Sequence, residues 1–119
     1  RRLLASGDAP GPGKDREEAV MARKYEGTFI FVPALEDAAL DAAIEQVEKT
    51  ISEAGGTPGE WDRWGKRRLA YEIKDQRDGH YTFLTFESEP GGIETMERLF
   101  RLDDNILRHM IIVKDEETD

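Results

Sequence analysis

The stretch GKRRLAYEIKDQRDGHYTFLTFE, Gly65 to Glu87, decides the fold. Its second half, His80 to Glu87, alternates as a strand, with Tyr81, Phe83 and Thr85 on one face and Thr82, Leu84 and Phe86 on the other. Its first half belongs to a longer alternating run, residues 57–74, built around Trp61, Trp64, Leu69, Tyr71 and Ile73. Gly65 interrupts that run, which predicts a bulge or a bend. Arg77-Asp78-Gly79-His80 reads as the turn between the two strands, because Asp-Gly accepts the positive φ values of a tight hairpin. The centre of the chain is therefore an antiparallel hairpin.

Upstream of the hairpin, Gly55-Gly56 ends a helix in which Leu40, Ile44, Val47 and Ile51 make one apolar stripe. Glu36 and Asp37 stand at its start, where negative charge suits the helix dipole and capping. Before it, Lys24 to Val32 is aromatic and β-branched and becomes apolar on both faces, as a central strand does; Pro33 ends it. Tyr25, Gly27, Phe29 and Phe31 share one of those faces. Downstream, Pro90-Gly91-Gly92 opens a second helix with Ile93, Met96, Leu99 and Phe100 on its apolar side. Asp103-Asp104-Asn105 turns the chain into a last strand, Ile106 to Val113. The order β-α-β-β-α-β predicts an α+β, ferredoxin-like fold: a four-stranded antiparallel sheet with both helices on one face and the other face free for a partner.

The chain has 119 residues, a single-domain length, and carries 17 basic against 26 acidic residues for a net charge of -9. With no cysteine it has no disulfide scaffold, no thiolate-held metal and no thiol nucleophile. Two histidines, His80 and His109, are too few for a His-rich metal site. His80 is expected to be solvated beside the turn and His109 to be a sheet-surface residue. Asp103-Asp104 reads as a solvated turn rather than a metal pair. No segment has the run of about 20 apolar residues of a membrane span or the core of a signal peptide, so the reading is a cytosolic protein without a membrane partner.

The two ends read differently from the middle. Residues 1–20 cluster Gly7, Pro10, Gly11, Pro12 and Gly13 without apolar period, which predicts a disordered N-terminal extension; Met21-Ala22-Arg23-Lys24 would make an ordinary protein start. Asp115 to Asp119 is an acidic tail expected to be solvated.

No catalytic motif is present: no HExxH, no phosphate-binding loop, no GxSxG. A small ferredoxin-like hydrolase would need convergent polar groups that nothing in the sequence supplies. The strongest charge feature is Arg63-Trp64-Gly65-Lys66-Arg67-Arg68. It fits an edge strand guarded by charge as well as it fits a phosphate-binding patch. Alternation separates Lys66 and Arg68 from Arg67, and a bend at Gly65 would bring Arg63 near the others. The aromatic spacing at 81–86 partly echoes the third-strand motif of RNA-recognition modules, whose rings stack on bases, although core packing is the commoner use of such rings. An RNA-recognition-like, single-strand binder would need Tyr81 and Phe83 exposed on the open sheet face.

Gly65-Lys66-Arg67-Arg68-Leu69-Ala70-Tyr71-Glu72-Ile73-Lys74 resembles the signature of the bacterial small-subunit ribosomal protein six family at every position. That signature is a Gly, two or three basic or polar residues, Leu-Ala/Ser-Tyr, a variable residue, Ile and a basic or small residue. Arg23-Lys24-Tyr25-Glu26 resembles the family's first strand, and Leu99 to Arg108 its second helix and entry to the last strand. The resemblance covers residues 21–114 and leaves out 1–20. It implies a structural protein of the small-subunit platform, in the cytoplasm, with no enzymatic activity, cofactor or small-molecule substrate. Its implied partners are the central domain of small-subunit ribosomal RNA and small-subunit ribosomal protein eighteen. On that basis Arg23, Lys24, Arg63, Lys66, Arg67 and Arg68 are the expected RNA- or partner-binding residues, with Arg98 and Arg101 as weaker candidates. Leu69, Tyr71 and Ile73 are expected to set the strand in the core.

Overall fold

A computed structural model describes residues 22–114. The N-terminal extension expected over 1–20 and the acidic tail expected over 115–119 lie outside the described residues. The elements run β1 (Arg23–Phe31), α1 (Ala38–Glu53), β2 (Thr57–Ile73), β3 (Gln76–Ser88), α2 (Pro90–Leu102) and β4 (Ile106–Val113). They build one antiparallel sheet of order β2-β3-β1-β4, so β1 is central and β2 and β4 are the edges. The ferredoxin-like arrangement read from the sequence is the observed one.

The main core lies between the sheet and the two helices. Phe29, Phe31, Leu84 and Phe86 from the sheet meet Ile44, Val47, Ile51, Met96 and Phe100 from the helices. The Phe29 ring meets Phe100 edge-on at 4.9 Å and Trp61 at 5.9 Å. Thr82 is buried among them, and its hydroxyl donates to the Phe29 carbonyl at 2.8 Å, so its polar atom is satisfied. A smaller cluster lies on the opposite, open face: Ile30, Leu69 and Leu107, with Ile73 and Tyr81 against them.

Helix α1 ends as its glycine pair predicts. Gly55 takes φ +95, and the amides of Gly55 and Gly56 donate to the carbonyls of Ser52 and Ile51, which closes the last turn in a Schellman motif. Its start departs from expectation: Asp37 makes no side-chain cap, and the nearby acids Glu36 and Asp41 reach across to β2 instead.

The hairpin turn is also displaced. Lys74 and Asp75 both have positive φ, and Ile73 pairs with Gln76, so the two-residue turn is Lys74-Asp75. Arg77-Asp78-Gly79-His80 lies inside β3. Gly79 is there for a packing reason: a Cβ at that position would come within 2.5 Å of Ile30 Cγ2. His80 is buried, and its Nε2–H donates to the Leu35 carbonyl, so it ties the β1–α1 loop to the sheet rather than facing solvent. His109 lies under α2, against Phe100 and 4.0 Å from Glu97, and not on the open surface. Burial lowers its pKa below the ordinary value, against an upward pull from Glu97 and with a further lowering from Arg101.

Candidate RNA- and partner-binding surface

The bulge in β2 controls where each basic side chain goes. Arg63 pairs with Thr82 and Gly65 with Tyr81, so two residues, Trp64 and Gly65, span a single step of β3. Gly65 takes φ +85 to do this. Before the bulge, the odd-numbered Trp61 and Arg63 face the helices; after it, the even-numbered Lys66 does. Arg63, Lys66 and Arg68 therefore share the helix side of the edge strand, while Trp64, Arg67, Leu69 and Tyr71 share the open side.

On the helix side, Arg63 pairs with Asp41 at 2.8 Å and Lys66 with Glu36 at 3.5 Å. Both pairs are exposed, and such pairs are worth about 0–1 kcal/mol, so either cation can leave for a phosphate at little cost. Arg68 makes no ion pair among the described residues. On the open side, the Arg67 guanidinium carbon lies 5.1 Å from the Trp64 ring centroid, and Arg67 Nε donates to the Trp64 carbonyl at 3.4 Å. Arg23 and Lys24 pair with Ser88 and Glu87 at the far end of β3, whereas Arg67 pairs with Gly79. Eight residues separate those ends, about 27 Å along the strand. The six expected residues thus form three groups: Arg63, Lys66 and Arg68; Arg67; and Arg23 with Lys24. At the Lys24 end a cleft of about 550 Å³ is lined by Lys24, Pro58, Phe86, Glu87 and Lys114.

The open face holds residues that sequence reasoning misses. Tyr71, expected in the core, is 61% exposed, and its hydroxyl accepts from Arg108 on the opposite edge strand. Trp64, Met110 and Ile112 are also exposed, and Arg108, Met110 and Ile112 follow one another at strand spacing on β4. That spacing is the signal that could have found them. Tyr81 and Phe83 lie on this same face but are only half-exposed: Tyr81 packs into the smaller cluster and Phe83 meets Trp64 edge-on at 4.8 Å. Of the three residues expected to seat β2, Leu69 is buried and Ile73 partly so, both on the open face rather than under the helices.

Charge is divided between the two layers. The helix layer, residues 32–56 and 89–105, holds 3 basic and 11 acidic residues. The sheet layer, residues 22–31, 57–88 and 106–114, holds 10 basic and 7 acidic. The net charge of the whole chain conceals a sheet that is positive on balance. Arg98 and Arg101 belong to the acidic layer. No helix of the described residues is long and apolar enough to cross a membrane.

The family model for ribosomal protein S6 matches residues 24–113. The chain belongs to the ribosomal protein S6 family. Small ribosomal subunit protein bS6 of Desulforudis audaxviator is 46% identical over 93 residues, covering 78% of this chain and 99% of that protein. The bS6 protein of Clostridium botulinum strain 657 is 42% identical over the same length and shares. The crystal structure of 30S ribosomal protein S6 from Thermotoga maritima superposes with a TM-score of 0.74 at 28% identity, covering 82% of this chain and 92% of that one. Membership of the S6 family makes this a structural protein of the small ribosomal subunit rather than an enzyme, and its compartment that of the ribosome, the cytoplasm.

Proposed function

We propose that the chain binds the central, platform domain of small-subunit ribosomal RNA together with small-subunit ribosomal protein eighteen, through its sheet layer and the β2 edge. The observation that carries this reading is the division of charge: the sheet layer has 10 basic to 7 acidic residues, and the helix layer 3 to 11. Phosphates attract the first and are repelled by the second, so RNA meets the sheet layer, including both sides of its β2 edge, rather than the outer surface of the helices. Arg63, Lys66, Arg67 and Arg68 on β2 are the residues assigned to phosphate or partner, with Arg23 and Lys24 as a second attachment at the other end of the sheet. A surplus this small holds RNA weakly alone, which favours binding alongside a more basic protein.

The triple substitution Lys66→Ala, Arg67→Ala, Arg68→Ala tests the assignment. The variant is expected to bind a platform RNA fragment carrying protein eighteen more weakly. The slope of log affinity against log salt should flatten by about 0.7–0.9 for every phosphate that the variant no longer neutralises. Unchanged affinity and slope would reject the patch. A second reading, an RNA-recognition-like platform for unpaired bases, has one observation in its favour: Tyr81 and Phe83 lie on the open face and not under the helices. Their partial cover by Trp64 and the Leu69 cluster argues for packing as their main role. Tight binding of a free oligonucleotide without protein eighteen, abolished by Phe83→Ala, would favour this second reading.

A further inference from the structure

The RNA reading uses the sheet layer and leaves the outer surface of the helix layer unexplained. A groove of about 630 Å³ runs between α1 and α2 on that surface. Ala43 and Thr50 of α1 are buried at its floor, Ala39, Ala42 and Gln46 of α1 are exposed along it, and Leu99 and Leu102 of α2 line its other side. Leu102 is 73% exposed and Leu99 39%, so two large apolar side chains are left in water across from the small side chains of α1. Glu53 and Asp103 stand on the rim, and the layer's only basic residues, Lys49, Arg98 and Arg101, do not line the groove. The layer around it has 3 basic against 11 acidic residues.

We propose that the α1–α2 groove is a docking site for a basic amphipathic helix from a partner protein. The small side chains of Ala39, Ala42 and Ala43 let a helix backbone come close, Leu99 and Leu102 offer apolar surface to anchors at i, i+3, i+4 and i+7, and the acidic surroundings choose a cationic helix over an anionic one. The charge that keeps this face away from RNA is the charge that selects its protein partner. None of the six residues assigned to RNA or protein eighteen lines the groove, so the chain can hold RNA and this partner together.

The probe is a synthetic helical peptide of about 14 residues with Leu at those four positions and Lys or Arg elsewhere, titrated against the full chain. Its twin carries Glu in place of every Lys and Arg. Amide NMR shifts should move at Ala39, Ala42, Leu99 and Leu102, and the basic peptide should bind more weakly as salt rises. Leu102→Lys, at a position exposed enough to leave folding intact, should weaken the basic peptide by at least about tenfold, as expected for removing one apolar anchor and adding a like charge. The acidic twin should not bind. Equal binding of the two peptides, shifts confined to the sheet layer, or an affinity unchanged by Leu102→Lys would each overturn the proposal. So would a wild-type dimer in sedimentation that Leu102→Lys dissociates, because the occupant would then be a second copy of this chain.

Discussion

Gly65 is the residue on which the two faces of β2 depend, and the cost of replacing it can be worked out. A Cβ at Gly65 meets no heavy atom within 4 Å, so Gly65→Ala has no steric penalty from its neighbours. What remains is the backbone: φ +85 is unfavourable for an L-residue by about 1–2 kcal/mol. The reduced freedom of the unfolded chain offsets about 0.4–1 kcal/mol of this. The net expectation is a loss of about 1 kcal/mol, or a melting temperature lower by about 4–8 °C for a domain this size. Gly91→Ala is the matched control. Its Cβ also meets nothing within 4 Å, but it sits in the first turn of α2 without a positive φ, so alanine there should stabilise by up to about 1 kcal/mol. Gly55→Ala, at φ +95 and equally open, should behave as Gly65→Ala does. Urea unfolding followed by circular dichroism compares all three. If Gly65→Ala were as stable as the wild type, or shifted in the same direction as Gly91→Ala, the bulge would not depend on the glycine conformation. Deleting Gly65 should do far more harm, because a one-residue slip must turn either Trp61 or Leu69 to the wrong face.

Three further outcomes are expected. Phe100→Ala removes a ring packed against Phe29 at 4.9 Å in the centre of the core and should cost about 3–5 kcal/mol in denaturant unfolding; a loss below about 1 kcal/mol would contradict the packing. Gly59→Ala would bring its Cβ within 2.5 Å of the Thr85 carbonyl oxygen, so it should destabilise more than Gly65→Ala despite the smaller conformational demand, as melting temperatures would reveal. His109 should make the fold acid-sensitive. Its folded pKa lies below the ordinary 6.5, so between those two values the unfolded chain binds more protons and stability rises with pH. The contribution is complete above 6.5 and is lost as pH falls from there towards the folded value. Urea midpoints of wild type and His109→Phe between about pH 7.5 and 5 should show a fall that the variant lacks; a wild type that gained stability on acidification relative to the variant would mean that Glu97, not burial, governs the histidine.

The β-α-β-β-α-β order is legible in the sequence because it depends on local period and punctuation. Ile106 to Val113 coincides with the observed last strand, and Gly55-Gly56 ends α1 as a glycine pair should. Local signals misplace the hairpin turn because Asp78-Gly79 carries the stronger turn chemistry, while Lys74-Asp75 adopts positive φ without a glycine. Gly79 serves the close approach of Ile30, a neighbour from another strand that no local window contains. His80 misleads for the same reason: its acceptor, the Leu35 carbonyl, is 45 residues away.

The sequence by itself determined the class of fold, the polarity of each element and the concentration of basic residues on β2, because alternation, helical spacing and composition are properties of neighbouring residues. Which side chains share a surface was decided only in three dimensions. Gly65 marks the bulge in the sequence, but only pairing with β3 settles that Arg63 joins Lys66 and Arg68 on the helix side while Arg67 lies on the other. Strand pairing puts Arg23 and Lys24 at the opposite end of the sheet from Arg67. Packing both helices on one face sorted the acids from the bases. A single extra residue in a strand inverts every side chain beyond it, and opposite charges scattered along a chain become two charged faces once the layers are stacked.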